Sequence, residues 1–264
     1  MKRSLSLLVV AFACSLFSMP PLQAYDIADY FPLAHQSTWY LVDLVPQPEG
    51  DTDAFRWTVL DDLLTVTGGF VAFKVKTATD ETTDARNNDI DYWRHNPNGD
   101  LELWGAYIND VPSGVPNNII LPGPLVAGKA GMTIGQVIET SRNYTITVFG
   151  LPFVVQFWLS STLVEAVPSL QTPLGPFADV IKLRLDFEVR NVPIVGTFKV
   201  FDSYMYLARG IGLVRQTQKA DTNDATDQVL AEGEINGEAI APTGATGSTI
   251  GGTVSDSSRG GVGG

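Results

Sequence analysis

Apolar and polar residues alternate with a period of two along most of this chain, most clearly over residues 180–190. Ile181, Leu183, Leu185, Phe187 and Val189 fall on one face, and Lys182, Arg184, Asp186, Glu188 and Arg190 on the other. Successive side chains of an extended backbone point to opposite faces, so this stretch predicts a long strand with one dry and one wet face. A second strand over 197–208 and a short one over 213–217 follow, joined by a turn at Arg209-Gly210-Ile211-Gly212.

Upstream, strands are predicted over 39–42, around Phe55, Trp57 and Val59, and around Val71, Phe73 and Val75. Residues 90–95 and 101–107 form a β-hairpin through Asn96-Pro97-Asn98-Gly99, because Asn and Gly tolerate positive φ. Further strands are expected at 132–138, around Tyr144, Ile146 and Val148, and over 153–167; 229–235 closes the series as an edge strand. Pro112, Pro116, Pro122 and Pro124 fall within 109–131, which predicts a long loop or a partly extended segment lying across the sheet. No 3.6-residue period is sustained, so the fold is all-β with roughly 10–12 strands in a meander.

The two ends of the chain read differently. Lys2 and Arg3 precede an apolar run over 5–17, Pro20 and Pro21 end it, and Ala24 offers a small residue for cleavage. That is the pattern of a secretory leader over 1–24, with lipid attachment at Cys14 as the competing reading. Cys14 is the only cysteine, so cleavage leaves a chain without disulfides. Residues 25–235 form one β domain. Residues 236–264 are rich in Gly, Ala, Thr and Ser and bury too little to offset ordering entropy, which predicts a disordered tail.

The formal charge of −12 argues against nucleic acid as a partner, since phosphates attract Lys and Arg. The only histidines are His35 and His95, which read as structural; His95 is expected to be exposed at the hairpin. Nucleophile elbows, zinc-binding helices and phosphate loops are absent from the sequence. Asp80, Asp84, Asp89 and Asp91 form one acidic group, and Asp221, Asp224 and Asp227 with Asn223 another; both read as solvated loops. No catalytic residue, metal site or cofactor is assigned.

Three stretches resemble, in the same order, motifs of exported bacterial proteins. They are Tyr30-Phe31-Pro32-Leu33 followed by Trp39, then Gly175-Pro176-Phe177-Ala178-Asp179-Val180-Ile181-Lys182, then Tyr206-Leu207-Ala208-Arg209-Gly210-Ile211-Gly212-Leu213-Val214. In the broad sense the chain resembles the lipoprotein half-barrel superfamily that includes the LolA and LolB carriers. The resemblance implies a strongly curved antiparallel sheet, a half-barrel or open barrel, with an apolar concave face under loop cover. It implies no defined activity.

Two functional readings follow. In the first, an exported non-enzymatic protein holds a lipid or other apolar ligand against the concave face, lined by Phe73, Trp93, Trp104, Phe157, Trp158, Leu185 and Phe187. In the second, the chain is an envelope or cell-surface structural or interaction module that binds a protein and no small molecule. Both place the mature protein in the periplasm or outside the cell, without a transmembrane segment.

Overall fold

The computed structural model describes residues 23–44, 54–79, 88–109, 116–148, 150–193, 196–218 and 227–243. Residues 1–22 of the expected leader and 244–264 of the expected tail lie outside them. A two-residue strand, β1 (Ala24–Tyr25), leads into a single helical turn, α1 (Ile27–Tyr30). The strands β2 (Thr38–Asp43), β3 (Phe55–Thr65), β4 (Val71–Thr79), β5 (Ile90–His95), β6 (Leu101–Tyr107) and β7 (Asn118–Gly128) follow. After the short β8 (Met132–Thr133) come β9 (Val137–Val148), β10 (Leu151–Thr172), β11 (Gly175–Val192), β12 (Gly196–Ala208), β13 (Gly212–Gln218), β14 (Asp227–Ile235) and β15 (Glu238–Ala239).

The main sheet runs β7-β6-β5-β4-β3-β2-β14-β13-β12-β11-β10-β9, every pairing antiparallel. It curls until its outer strands, β7 and β9, stand side by side, so the barrel is nearly closed. Side chains bridge this seam. The Val126 amide donates to Thr140 Oγ1 at 2.9 Å, and Ser161 Oγ donates to the Ala127 carbonyl at 2.6 Å.

Alternation decides what fills the barrel. On β11, Ile181, Leu183 and Leu185 are buried inside, while the charged residues between them lie outside, as the periodicity predicts. Outside, the Arg184 guanidinium donates twice to Asp202, at 2.8 and 2.7 Å, and Lys199 donates to Asp186. Inside, one continuous apolar cluster draws on nearly every strand, from Trp39 and Leu41 on β2 to Leu230 on β14. One end, here the lower, is plugged by the segment that follows β1. Ile27 and Tyr30 are fully buried there, and Phe31 enters the core between Trp39, Trp57 and Trp93, with ring centroids 6.4, 6.2 and 5.6 Å away. The turn after β7 is tied to this plug, since the Gly131 amide donates to Asp26 Oδ1 at 2.8 Å.

The 90–95 and 101–107 hairpin forms as expected, and Asn96 Oδ1 accepts from the Asn98 and Asp100 amides to shape its turn. Three expectations are corrected. The loop alternative for the proline-rich stretch gives way to the extended one, because β7 runs through Pro122 and Pro124. Residues 121–124 lie opposite Trp104 alone, where the pairing with β6 shifts register, and β7 has no partner strand on its other side. Proline is tolerated at such an edge bulge because no ladder donor is missed. Within the same irregularity Gly105 has φ of 142°, and a Cβ there would sit 2.0 Å from the Ile119 carbonyl oxygen.

The second correction is that β14 is not an edge strand; it lies between β13 and β2 and joins the two halves of the meander. The third concerns the start of the tail. Residues 236–243 turn back through β15, bury Ile240, and accept at Thr243 Oγ1 from the Ala178 amide of β11 at 2.8 Å. Ile240 supplies the apolar burial that the following Gly-rich sequence lacks.

Candidate functional site

The three motifs that stood out in the sequence meet at the lower end. Arg209, in the turn between β12 and β13, donates from Nε to Asp179 Oδ2 at 2.6 Å and from Nη1 to Asp29 Oδ2 at 2.7 Å. Its Nη2 donates to Tyr30 Oη at 3.0 Å, and that hydroxyl donates to Asp179 Oδ1 at 2.7 Å. Next to this clasp the Trp39 indole donates to the Ile211 carbonyl at 2.7 Å. Gly212, at φ of 92°, leaves room for that ring, since a Cβ would come within 2.9 Å of it.

Burial, then the hydrogen bond to Asp179, raise the Tyr30 phenol well above its ordinary range. Burial works against ionisation of Asp179, but the bonds from Tyr30 and Arg209 outweigh it and hold that carboxyl below the usual range. A carboxylate that accepts from Tyr30 and Arg209, beside a phenol held as a donor, suits anchoring. The clasp ties the plug to β11 and to the β12–β13 turn. Replacing Arg209 with Met should cost about 1–2 kcal/mol, the modest value expected for half-exposed charged hydrogen bonds. Urea melts of the variant and of Tyr30→Phe, which should cost less, check this.

The upper end, where β2, β4, β6, β9, β11 and β13 finish, is different. There the interior holds an apolar cavity of about 60 Å³, lined by Leu103, Ile119, Phe157, Phe187, Val189 and Asp91 among others. Val200 also lines it and remains 42% exposed, so the cavity reaches the mouth of the barrel. Phe157 and Phe187 stack at 6.1 Å, and Phe201 continues the row at 5.4 Å from Phe187.

The expected lining residues thus separate. Phe157 and Phe187 line the cavity. Phe73, Trp93 and Leu185 face inward but belong to the packed core, with Trp93 wedged against Phe31. Trp104 and Trp158 face outward and are corrected as lining residues. Trp104 lies with Val66, Ala72 and Tyr92 in a small outer cluster under Phe70, and its indole donates to Glu102 Oε2 at 2.9 Å. Trp158 carries the Arg190 guanidinium 3.9 Å above its ring. Since Phe157 and Trp158 are adjacent on one strand, only one of them can face inward.

Asp91 is a residue whose role sequence reasoning missed. Grouped there with a solvated acidic loop, it lies on β5 two residues before Trp93 and shares its inward face. Burial, reinforced by the charge of Asp89, pushes its carboxyl up to about 7. The Trp93 indole N–H reaches no acceptor in hydrogen-bond geometry but offsets part of that rise. Alternation counted from Trp93 was the available signal. The other members of that group, Asp80 and Asp84, and three of the second, Asp221, Asn223 and Asp224, lie outside the described residues; Asp227 pairs with Arg215. His95 is not exposed as expected: its ring packs beside the plug, and burial lowers its pKa. Among the described residues no group of three or more His, Cys, Asp or Glu side chains is placed to hold a metal ion.

No known family profile matches the chain, and no curated protein matches it. Two solved structures are similar to it. One is a protein from Parabacteroides distasonis described as a lipoprotein, 14% identical, with a TM-score of 0.37, covering 78% of this chain and 98% of its own. The other, from Bacteroides fragilis, is described as an exported protein with a YmcC-like fold, 14% identical, with a TM-score of 0.42, covering 81% of this chain and 100% of its own. Neither description mentions LolA or LolB.

Proposed function

We infer that this chain is an exported, non-enzymatic β-barrel acting as a structural or interaction module of the cell envelope rather than as a lipid carrier. One observation carries the choice: among the described residues a continuous apolar cluster fills the interior, and the cavity described at the mouth is about 60 Å³. Sites for drug-sized ligands occupy roughly 300–1,000 Å³, and even benzene takes a cavity of about 150 Å³. The leader pattern over residues 1–24 supports export.

Among the described residues no helix is long and apolar enough to cross a membrane. The outer face of β11 and β12 carries Lys182, Arg184, Asp186, Glu188, Arg190, Lys199 and Asp202, a surface suited to water and unfavourable against lipid. Native mass spectrometry of protein purified gently from the envelope tests the reading. The bare chain mass is expected, before and after incubation with lipid extract. An adduct of lipid mass that is lost on unfolding would restore the carrier.

A further inference from the structure

The upper cavity has one feature that packing does not account for. Its lining is apolar except at Asp91, and it contains no Lys, Arg or His. Such surroundings favour the neutral carboxyl, and burial with the nearby Asp89 raises its pKa. Beside it the Trp93 indole, on a residue only 3% exposed, faces Asp91 without forming a well-aligned hydrogen bond. A buried donor poorly met by an acid whose neutral form is favoured is a costly pair to keep. Ionising Asp91 gives the indole an anion to face, and a cation entering the cavity would balance that charge.

The cavity limits what that cation can be. The apolar walls offer a bare metal ion no further oxygen ligands, and hard cations need several. The space suits about two water-sized groups, and it opens at Val200 toward Phe198, which pairs with Val189 on the inner side of the rim. Phe198 and Leu151 are 55% and 61% exposed at this upper end. A small charged head with an apolar tail fits both parts.

We propose that the upper cavity binds a primary alkylammonium group, its N–H donors on the Asp91 carboxylate and its alkyl chain running past Phe187 and Val200 to the apolar mouth. The proposal goes beyond the interaction-module reading and does not require it, because it fills only the cavity and leaves the packed core untouched.

The test uses purified ¹⁵N-labelled protein at about pH 8, titrated with hexylamine hydrochloride and, in parallel, with 1-hexanol and sodium hexanoate. The indole N–H resonance of Trp93 is followed. Hexylamine should give a saturable shift at a concentration at least about tenfold below that at which hexanol acts, and hexanoate should give none. Asp91→Asn should remain folded and lose the preference for amine over alcohol. Equal responses to amine and alcohol would assign the cavity to water or to unspecific apolar contact. No response to amine, or an undiminished amine preference in Asp91→Asn, would also overturn the proposal. The comparison among probes on the unmodified protein stands even if the variant is perturbed.

Discussion

Replacing Phe31 with alanine should cost about 3–5 kcal/mol, a large share of the stability of a domain this size. Phe31 is 3% exposed and its ring lies within 6.4 Å, centroid to centroid, of three tryptophans. Truncation removes the transfer free energy of the ring and leaves a cavity that three rigid indoles on β2, β3 and β5 cannot collapse around. Because Phe31 follows directly after α1, the loss should also loosen the plug. Tryptophan emission and the β-sheet circular-dichroism signal should be lost together, at a lower urea concentration than in the parent. A variant within about 1 kcal/mol of the parent in urea would show that the plug is not part of the cooperative core.

Asp91→Asn should act in the opposite direction and depend on pH. The Asp91 carboxyl has a pKa of about 7 in the folded chain, against roughly 3.9 unfolded. Between those values the folded protein holds a proton that the unfolded chain has released. Stability therefore falls as pH rises through this window, by about 4 kcal/mol in all, and is flat above it. Asparagine cannot ionise, so the variant should be more stable than the parent by about 2–4 kcal/mol at pH 8, the gain shrinking toward zero near pH 4. Urea melts across that range check it. Equal pH slopes in parent and variant would mean that the carboxyl is hydrated and unshifted.

Much of the fold was legible because it is local. The unbroken alternation of β11 and the Asn96–Gly99 turn depend on neighbouring residues and read directly from the chain. The strand through Pro122 and Pro124 did not, because a proline's cost depends on whether its missing amide would have met a partner, and β7 has β6 on one side only. The place of β14 between β13 and β2 was hidden too, since it rests on pairing with a strand far away in sequence.

The candidate site was half legible for similar reasons. Phe157 and Phe187 were identified as aromatic residues on an alternating face, and both line the cavity. Trp158 and Trp104 share the aromatic character of that lining, but strand parity sets Trp158 opposite Phe157, and Trp104 opposite Leu103 and its neighbours in the core. Tyr30, Asp179 and Arg209 each lay inside a motif already singled out, but their convergence required the closed meander to bring three distant segments together.

The central claim is that the barrel interior is packed and carries no acyl chain, and brominated fatty acid titration tests it most directly. Trp39, Trp57 and Trp93 surround Phe31 inside the barrel, so a chain entering the core would bring bromine against them and quench their emission. No saturable quenching is expected up to the fatty acid's solubility limit. Saturable quenching at one chain per protein would contradict it and make this barrel a carrier.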